Sequence, residues 1–70
     1  MRRVAITGAS SGLGLALRRR LEADGDEVVG VDLAGSDVDA DLSTIEGRTA
    51  AVEEVLAGGP VDAAALCAGI

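Results

Sequence analysis

Three glycines stand close together near the start of the chain, at Gly8, Gly12 and Gly14. A short apolar run precedes them and a helical pattern follows them, so we expect them to form the turn between a strand and a helix. Such a turn directs backbone N–H groups and the positive end of the helix dipole towards one point, where the phosphates of a dinucleotide can bind. Gly8 would give the turn its backbone freedom, Gly12 would let a ligand approach the main chain, and Gly14 would let the helix pack on the sheet. The alternative interpretation is a surface loop rich in Gly and Ser.

An acidic residue follows the second predicted strand at the distance expected for such a site. Asp32 lies eighteen residues after Gly14, and about 20 residues usually separate a glycine turn from the acid that accepts hydrogen bonds from the adenosine ribose. A carboxylate there would repel the 2′-phosphate of NADP, and residues 33–36 contain no Arg or Lys. The sequence therefore predicts NAD as the cofactor, with an ordinary strand-end Asp that caps a turn as the alternative.

The elements that must position these residues alternate between strands and helices. Short runs rich in Val, Ile and Ala predict strands over residues 2–7, 27–31, 38–40 and 61–67. Ala favours helices, so the last run is assigned as a strand only because it fits the βαβ rhythm. This order predicts an α/β fold with a parallel sheet.

The first helix is expected to begin near Leu13, with Ser10 or Ser11 as its N-cap, and to end where Gly25 follows Asp24. Its apolar stripe consists of Leu13, Leu17 and Leu21, with Ala16 between them. The three arginines at residues 18–20 are expected in solvent at the end of the helix, and a basic ligand patch is the alternative.

The second helix has a capping box at its start, in which Ser43 would accept the N–H of Glu46 and the Glu46 side chain would reach back. Its apolar stripe consists of Ile45, Thr49, Val52 and Leu56, with Val55 beside it. Gly47 inside this helix costs about 1 kcal/mol, with no reason evident from the sequence. Residues 58–60 end the helix, and Asp37 and Asp39, which precede it, are expected in solvent.

Composition excludes several classes of function. The chain has 70 residues and a net charge of −6, which argues against a nucleic-acid or anionic-membrane surface. Its single Cys67 cannot form an internal disulfide, and without His there is no cluster to bind a metal. Apolar runs are too short to span a membrane or to follow Met1-Arg2-Arg3 as a secretory leader. We therefore expect a cytoplasmic protein.

The motif Thr7-Gly8-x-x-x-Gly12-x-Gly14 resembles the short-chain dehydrogenase/reductase family. Its three-residue gap differs from the TGxxGxxG of the extended relatives, which include sugar-nucleotide epimerases. Residues 29–32, 40–48 and 66–69 are similar to the bacterial 3α-hydroxysteroid dehydrogenase/carbonyl reductase branch and to coniferyl-alcohol dehydrogenases. The resemblance covers the whole chain and implies the N-terminal part of a Rossmann-type, doubly wound parallel sheet in βαβαβ order, with residues 1–70 as the dinucleotide-binding portion of a single domain.

The resemblance also implies which residues contact the cofactor. They are Gly8, Ser10, Ser11, Gly12, Leu13, Gly14, Asp32, Leu33, Asp41, Leu42, Cys67, Ala68 and Gly69. Asp41 would hold the exocyclic amine of adenine, Leu42 would pack beside the ring, and the turn that begins at Cys67 would pass under the adenosine. Cys67 is expected to be buried and inert. The alternative is a nucleophilic, catalytic thiol, but the chain has no His that could activate it.

By this resemblance, the parent protein would transfer hydride between NAD(H) and a secondary alcohol or ketone, such as a hydroxysteroid or an aryl alcohol, and would form a homo-oligomer. The family uses a Tyr and a Lys for catalysis, and this chain contains neither. We therefore expect no catalytic residue in it and no turnover by the fragment alone. The alternative is a non-catalytic nucleotide-binding or interaction module.

Overall fold

The computed structural model describes residues 1–67 and contains four strands and two helices in that part of the chain. In chain order they are β1 (Arg3–Thr7), α1 (Gly12–Ala23), β2 (Glu27–Asp32), β3 (Val38–Asp39), α2 (Ile45–Ala57) and β4 (Ala63–Leu66). Every predicted strand and helix is present, with boundaries shifted by at most a few residues. The Ala-rich run at β4 is a strand because it pairs with β1, which outweighs the helical preference of Ala.

The four strands form one parallel sheet in the order β3-β2-β1-β4. The chain therefore moves outward from β1 through β2 to β3 and then returns to the other side of β1 as β4. This reversal is the switch point of a doubly wound sheet, where a crevice opens beyond the carboxyl ends of the strands. Thr7 is opposite Val31 on one side and opposite Leu66 on the other, so these three strands end at the same level. The predicted fold class is confirmed.

Side chains of β1 and β2 alternate between two buried faces, whereas those of β4 at the edge of the sheet are mostly exposed. On the α1 side, a cluster of buried residues packs against Leu17 and Leu21; it consists of Val4, Ile6, Ala9 and Val28. On the α2 side, the buried residues are Val29, Val31, Val38, Ala51 and Val55. Only aliphatic side chains fill these clusters, because the chain has no aromatic residue.

The predicted apolar stripes are only partly correct. Leu17 and Leu21 of α1 pack on the sheet, but Leu13 is 59% exposed and Ala16 is exposed as well. In α2, Ile45, Val52 and Leu56 are each more than half exposed, and Val52 and Leu56 border an open apolar groove beside Ala5, Val31 and Ala64 of the sheet. Helical spacing identifies side chains that share a face of the helix. Which of these faces contacts the sheet depends on how the helix docks. α2 makes that contact through Ala51 and Val55.

The cap of α2 is Thr44, not Ser43 as predicted. The Thr44 hydroxyl accepts the N–H of Gly47 at 2.9 Å, while the Ser43 hydroxyl donates to Asp41 at 2.6 Å. Both residues have the side chain of an N-cap, so the sequence alone does not distinguish them. The structure also explains Gly47: a Cβ at this position would overlap the carbonyl group of Asp41.

The arginines of α1 are not all in solvent, which corrects another expectation. Arg18 is 22% exposed, and its guanidinium pairs with Asp37 at 2.8 Å and with Glu22 at 3.4 Å. Asp37 also accepts the N–H of Gly30 at 2.8 Å, so it is not merely solvated either. Gly30 has no side chain, and this leaves the space through which Arg18 passes. The pairing joins α1 to the loop between β2 and β3.

Arg3 joins the start of β1 to the end of α2. Its guanidinium donates to the carbonyls of Val55 at 2.8 Å and Gly59 at 2.9 Å, so it ties β1 to the last turn of α2 and to the residues that follow that helix. Its backbone N–H donates to Asp62 at 2.8 Å. Neither of the helices in residues 1–67 has the length and apolar character needed to cross a membrane.

Candidate functional site

The glycine turn has the geometry that its spacing predicted. Gly8 and Gly12 have φ values of 71° and 58°, in the left-handed region that favours glycine. A Cβ at Gly14 would overlap the carbonyl group of Gly8, so the helix approaches the turn more closely than any other residue allows. The N–H of Gly8 donates to the carbonyl of Val31 at 2.8 Å, which fixes the turn against the end of β2.

The N-terminus of α1 faces the site without a side-chain cap. Ser11 occupies the N-cap position, but its side chain accepts no capping hydrogen bond, and the first turn contains no acidic residue. The expectation that Ser10 or Ser11 caps this helix through its hydroxyl is therefore wrong. Uncapped N–H groups at a helix start, together with the helix dipole, favour an anion. At Gly12, a side chain would find open space, with no atom of the described residues within 4 Å of its Cβ position.

Asp32 ends β2 at the carboxyl edge of the sheet, beside the glycine turn. One carboxylate oxygen accepts the hydroxyl of Ser10 at 2.5 Å and the N–H of Ser10 at 3.2 Å. The other oxygen accepts the N–H of Leu33 at 2.8 Å. The Ser10 hydroxyl is the largest cause of a lowered pKa for Asp32, followed by the Leu33 amide, and Asp32 is therefore ionised at neutral pH.

A cavity of about 370 Å³ opens between the glycine turn and the ends of β2, β3 and β4. Ten of the predicted site residues line it: Gly8, Ser11, Gly12, Leu13, Gly14, Asp32, Leu33, Asp41, Leu42 and Cys67. Ser10 is not among the lining residues and contacts Asp32 instead. Ala68 and Gly69 lie outside the described residues. Ala40 and Ser43, which the sequence did not predict as site residues, also line the cavity and flank the predicted Asp41-Leu42 pair.

Asp41, which follows β3, also lines the cavity. Its Oδ1 accepts the hydroxyl of Ser43 at 2.6 Å and the N–H of Ser43 at 2.9 Å. These bonds, the hydroxyl first, lower the pKa of Asp41. Within residues 1–67, Oδ2 accepts no hydrogen bond, so this oxygen remains for a ligand donor. Its backbone carbonyl packs against Gly47 and accepts from Thr44, which fixes the residue in place.

Cys67 follows β4 and reaches the same cavity. Its N–H donates to the carbonyl of Thr7 at 3.2 Å, which extends the β1–β4 pairing beyond the last paired strand residue. Its side chain is half-buried against the α1-side core, whereas the sequence predicted full burial. The cavity thus combines backbone donors, two ionised carboxylates and small or aliphatic side chains. Such a site suits a ligand that has both phosphate and hydroxyl or amine groups.

Relatives of this chain are found by sequence and by structure. It is 45% identical over 69 residues to a 3-alpha-hydroxysteroid dehydrogenase/carbonyl reductase of Comamonas testosteroni, and the match covers 96% of this chain and 27% of that protein. The crystal structure of the 3-alpha-hydroxysteroid dehydrogenase from Pseudomonas sp. B-0831 complexed with NADH superposes with a TM-score of 0.91 and 46% identity, over 97% of this chain and 31% of that one.

A second solved structure, the protein lin1944 from Listeria innocua, superposes with a TM-score of 0.82 and 31% identity, over 96% of this chain and 32% of that one. The resemblance to the short-chain dehydrogenase/reductase family is confirmed. No protein-family model matches the chain. This chain spans about 27% and 31% of the two hydroxysteroid dehydrogenases, so what it shares with these members of the short-chain dehydrogenase/reductase family is a portion of the fold.

Proposed function

We propose that this chain is the NAD-binding portion of an oxidoreductase that acts on a secondary alcohol or ketone. The observation that carries the proposal is the position of Asp32: an ionised carboxylate at the carboxyl edge of β2, beside an uncapped helix N-terminus. A 3-alpha-hydroxysteroid dehydrogenase with the same fold over these residues has been solved as a complex with NADH, which supports the choice of cofactor.

The residues present fit the adenosine half of NAD. The glycine turn and the first N–H groups of α1 would bind the pyrophosphate, and Asp32 would accept hydrogen bonds from the ribose. Oδ2 of Asp41 would accept the adenine amine while Leu42 packs beside the ring. When bound, NAD supplies the site that accepts or donates hydride.

No residue of this chain would act as the general acid. The family's Tyr and Lys have no counterpart here, since the chain contains neither residue type. We propose that these 70 residues bind NAD without turnover, and that the parent protein is a homo-oligomer with a hydroxysteroid or aryl alcohol as substrate. The absence of Tyr and Lys also favours the second candidate function, a nucleotide-binding or interaction module that is not catalytic.

Titration calorimetry with NAD, NADP and AMP, each added to this chain, tests the proposal. We expect NAD to bind more tightly than NADP, because a carboxylate at the ribose repels a 2′-phosphate. Comparable affinities for NAD and NADP, or no binding of either, would contradict the proposal. Tighter binding of AMP than of NAD would instead favour the non-catalytic module.

The variant Asp32→Ala is the matching prediction for the residue that carries the proposal. Removal of the carboxylate is expected to lower the preference for NAD over NADP by about tenfold or more, as the loss of hydrogen bonds to a charged group predicts. Glu53→Ala, a charge removal on the exposed side of α2, is the control. If the Asp32→Ala variant and the unsubstituted chain show the same selectivity between NAD and NADP, Asp32 does not belong to the ribose site.

A further inference from the structure

We propose that Ser10 is a positioning residue for Asp32, and that its hydroxyl sets the preference for NAD over NADP by fixing the carboxylate at the edge of the cavity. This inference rests on the proposed function. It assigns Ser10 a role distinct from direct contact with the cofactor, because the Ser10 side chain bonds the carboxylate and does not line the cavity.

The carboxylate of Asp32 is held at both oxygens. Oδ2 accepts the Ser10 hydroxyl at 2.5 Å and the Ser10 N–H at 3.2 Å, and Oδ1 accepts the Leu33 N–H at 2.8 Å. A carboxylate oxygen has about two acceptor sites, so Oδ1 keeps one for a ribose hydroxyl. The hydroxyl bond is the shortest of the three, and it comes from a part of the chain 22 residues away.

The glycine turn places Ser10 over Asp32 through its neighbour Ala9. Ala9 is 1% exposed and packs over Gly30, where a side chain would bring its Cβ to 2.8 Å from the Ala9 Cβ. Gly30 and Asp32 are two residues apart in β2 and therefore lie on the same face of the sheet. A turn that seats Ala9 on Gly30 brings the next residue to the level of Asp32. The contact thus follows from the packing of the turn.

Without the hydroxyl, Asp32 would keep only backbone donors among residues 1–67, of which the Ser10 N–H lies at a long 3.2 Å. The side chain lies at the open edge of the sheet and could rotate into solvent. A carboxylate that turns away accepts the ribose hydroxyls less often and repels a 2′-phosphate less strongly. Both changes lower the discrimination between NAD and NADP in the same direction.

The first experiment compares Ser10→Ala and Ser10→Thr with the unsubstituted chain, using the dissociation constants of NAD and NADP. Ser10→Ala is expected to lower the ratio of the NADP constant to the NAD constant about tenfold, the effect of one hydrogen bond to a charged group. Ser10→Thr keeps a hydroxyl and should restore most of the ratio. Thr49→Ala removes a hydroxyl from the exposed side of α2 and controls for a general effect on the fold.

The second experiment is a double-mutant cycle with Asp32→Ala. If Ser10 acts through Asp32, Ser10→Ala has no further effect on the ratio once the carboxylate is gone. An unchanged ratio in Ser10→Ala, an equal loss of affinity for both dinucleotides, or tighter binding of NAD would each overturn the inference. Equal losses would mean that Ser10 contacts a part common to both cofactors.

A measurement without cofactor separates this inference from the proposed function. NMR titration of the Asp32 carboxyl should give a higher pKa in Ser10→Ala than in the unsubstituted chain, since the hydroxyl bond is removed. The same pKa in both proteins would overturn the anchoring role, whatever binds in the cavity. Failure of the unsubstituted chain to bind NAD would overturn the proposed function and the claim about selectivity. A raised pKa of Asp32 in Ser10→Ala would still support the Ser10–Asp32 contact.

Discussion

Gly14 shows most clearly how one residue shapes the site. In a helix Ala is more favourable than Gly by about 1 kcal/mol, but here a Cβ would overlap the backbone of Gly8. Backbone atoms cannot move aside as a flexible side chain can. The fit of helix and turn therefore depends on the absence of that one carbon atom.

We predict that Gly14→Ala lowers the free energy of unfolding by about 1–3 kcal/mol, the usual cost of overpacking, despite the better helix propensity of Ala. Urea unfolding followed by circular dichroism measures the change. Ala16→Gly, the opposite exchange at an exposed position of the same helix, reports the propensity alone and should cost about 1 kcal/mol. A stabilised Gly14→Ala variant would contradict the close approach of α1 to the turn.

At this scale, the sequence predicted types of residue better than their partners. The spacing of Gly8, Gly12 and Gly14 and the distance to Asp32 were readable from the sequence, and all four residues line the cavity. The contact of Ser10 with Asp32 and the contact of Gly47 with the Asp41 carbonyl depend on how separate segments approach each other. No local sequence pattern contains that information. Ser10, predicted as a possible helix cap, instead donates its hydroxyl to Asp32.

At the scale of elements, the start of α2 separates two residues with the same capping chemistry. We predict that Thr44→Ala lowers the free energy of unfolding by about 1 kcal/mol, because it removes the acceptor for the Gly47 N–H. Ser43→Ala is the informative comparison, since its hydroxyl bonds an exposed carboxylate and caps nothing. Thermal unfolding of both variants measures the difference. A larger loss in Ser43→Ala than in Thr44→Ala would favour the capping box that the sequence predicted.

Elements themselves were predictable because their signals are local. Short β-branched runs, glycine at helix ends and the alternation of strands with helices gave all six elements that the structure describes. The faces of the helices were less predictable. Leu17 and Leu21 pack against the α1-side core as expected, whereas Val52 and Leu56 stay more than half exposed beside an open apolar groove, because α2 contacts the sheet along Ala51 and Val55.

At the scale of the whole molecule, three carboxylates connect stability to pH. The pKa values of Asp26, Asp32 and Asp41 are lowered, chiefly by hydrogen bonds from Arg2, Ser10 and Ser43 respectively. Each group binds its proton less readily in the folded chain than in the unfolded chain. Its stabilising contribution is therefore complete above the unfolded pKa of about 3.9 and is lost as the pH falls through the lower folded pKa.

We accordingly predict that the urea midpoint of unfolding is nearly constant between about pH 7 and pH 5 and falls below about pH 4. Asp26→Asn removes one of the three groups and should make that fall shallower. A midpoint that is unchanged, or that rises, on acidification would contradict the hydrogen bonds assigned to these carboxylates.

The central proposal is that the glycine turn and the ends of β2 and β3 form the adenosine site of NAD. Chemical-shift mapping by NMR, with NAD titrated into the isotope-labelled chain, tests it most directly. We predict that the largest amide shifts fall on Gly8, Gly12, Gly14, Asp32 and Leu33, around the cavity at the carboxyl edge of the sheet. Shifts confined to Val52 and Leu56 of α2, or no shifts at all, would contradict this proposal.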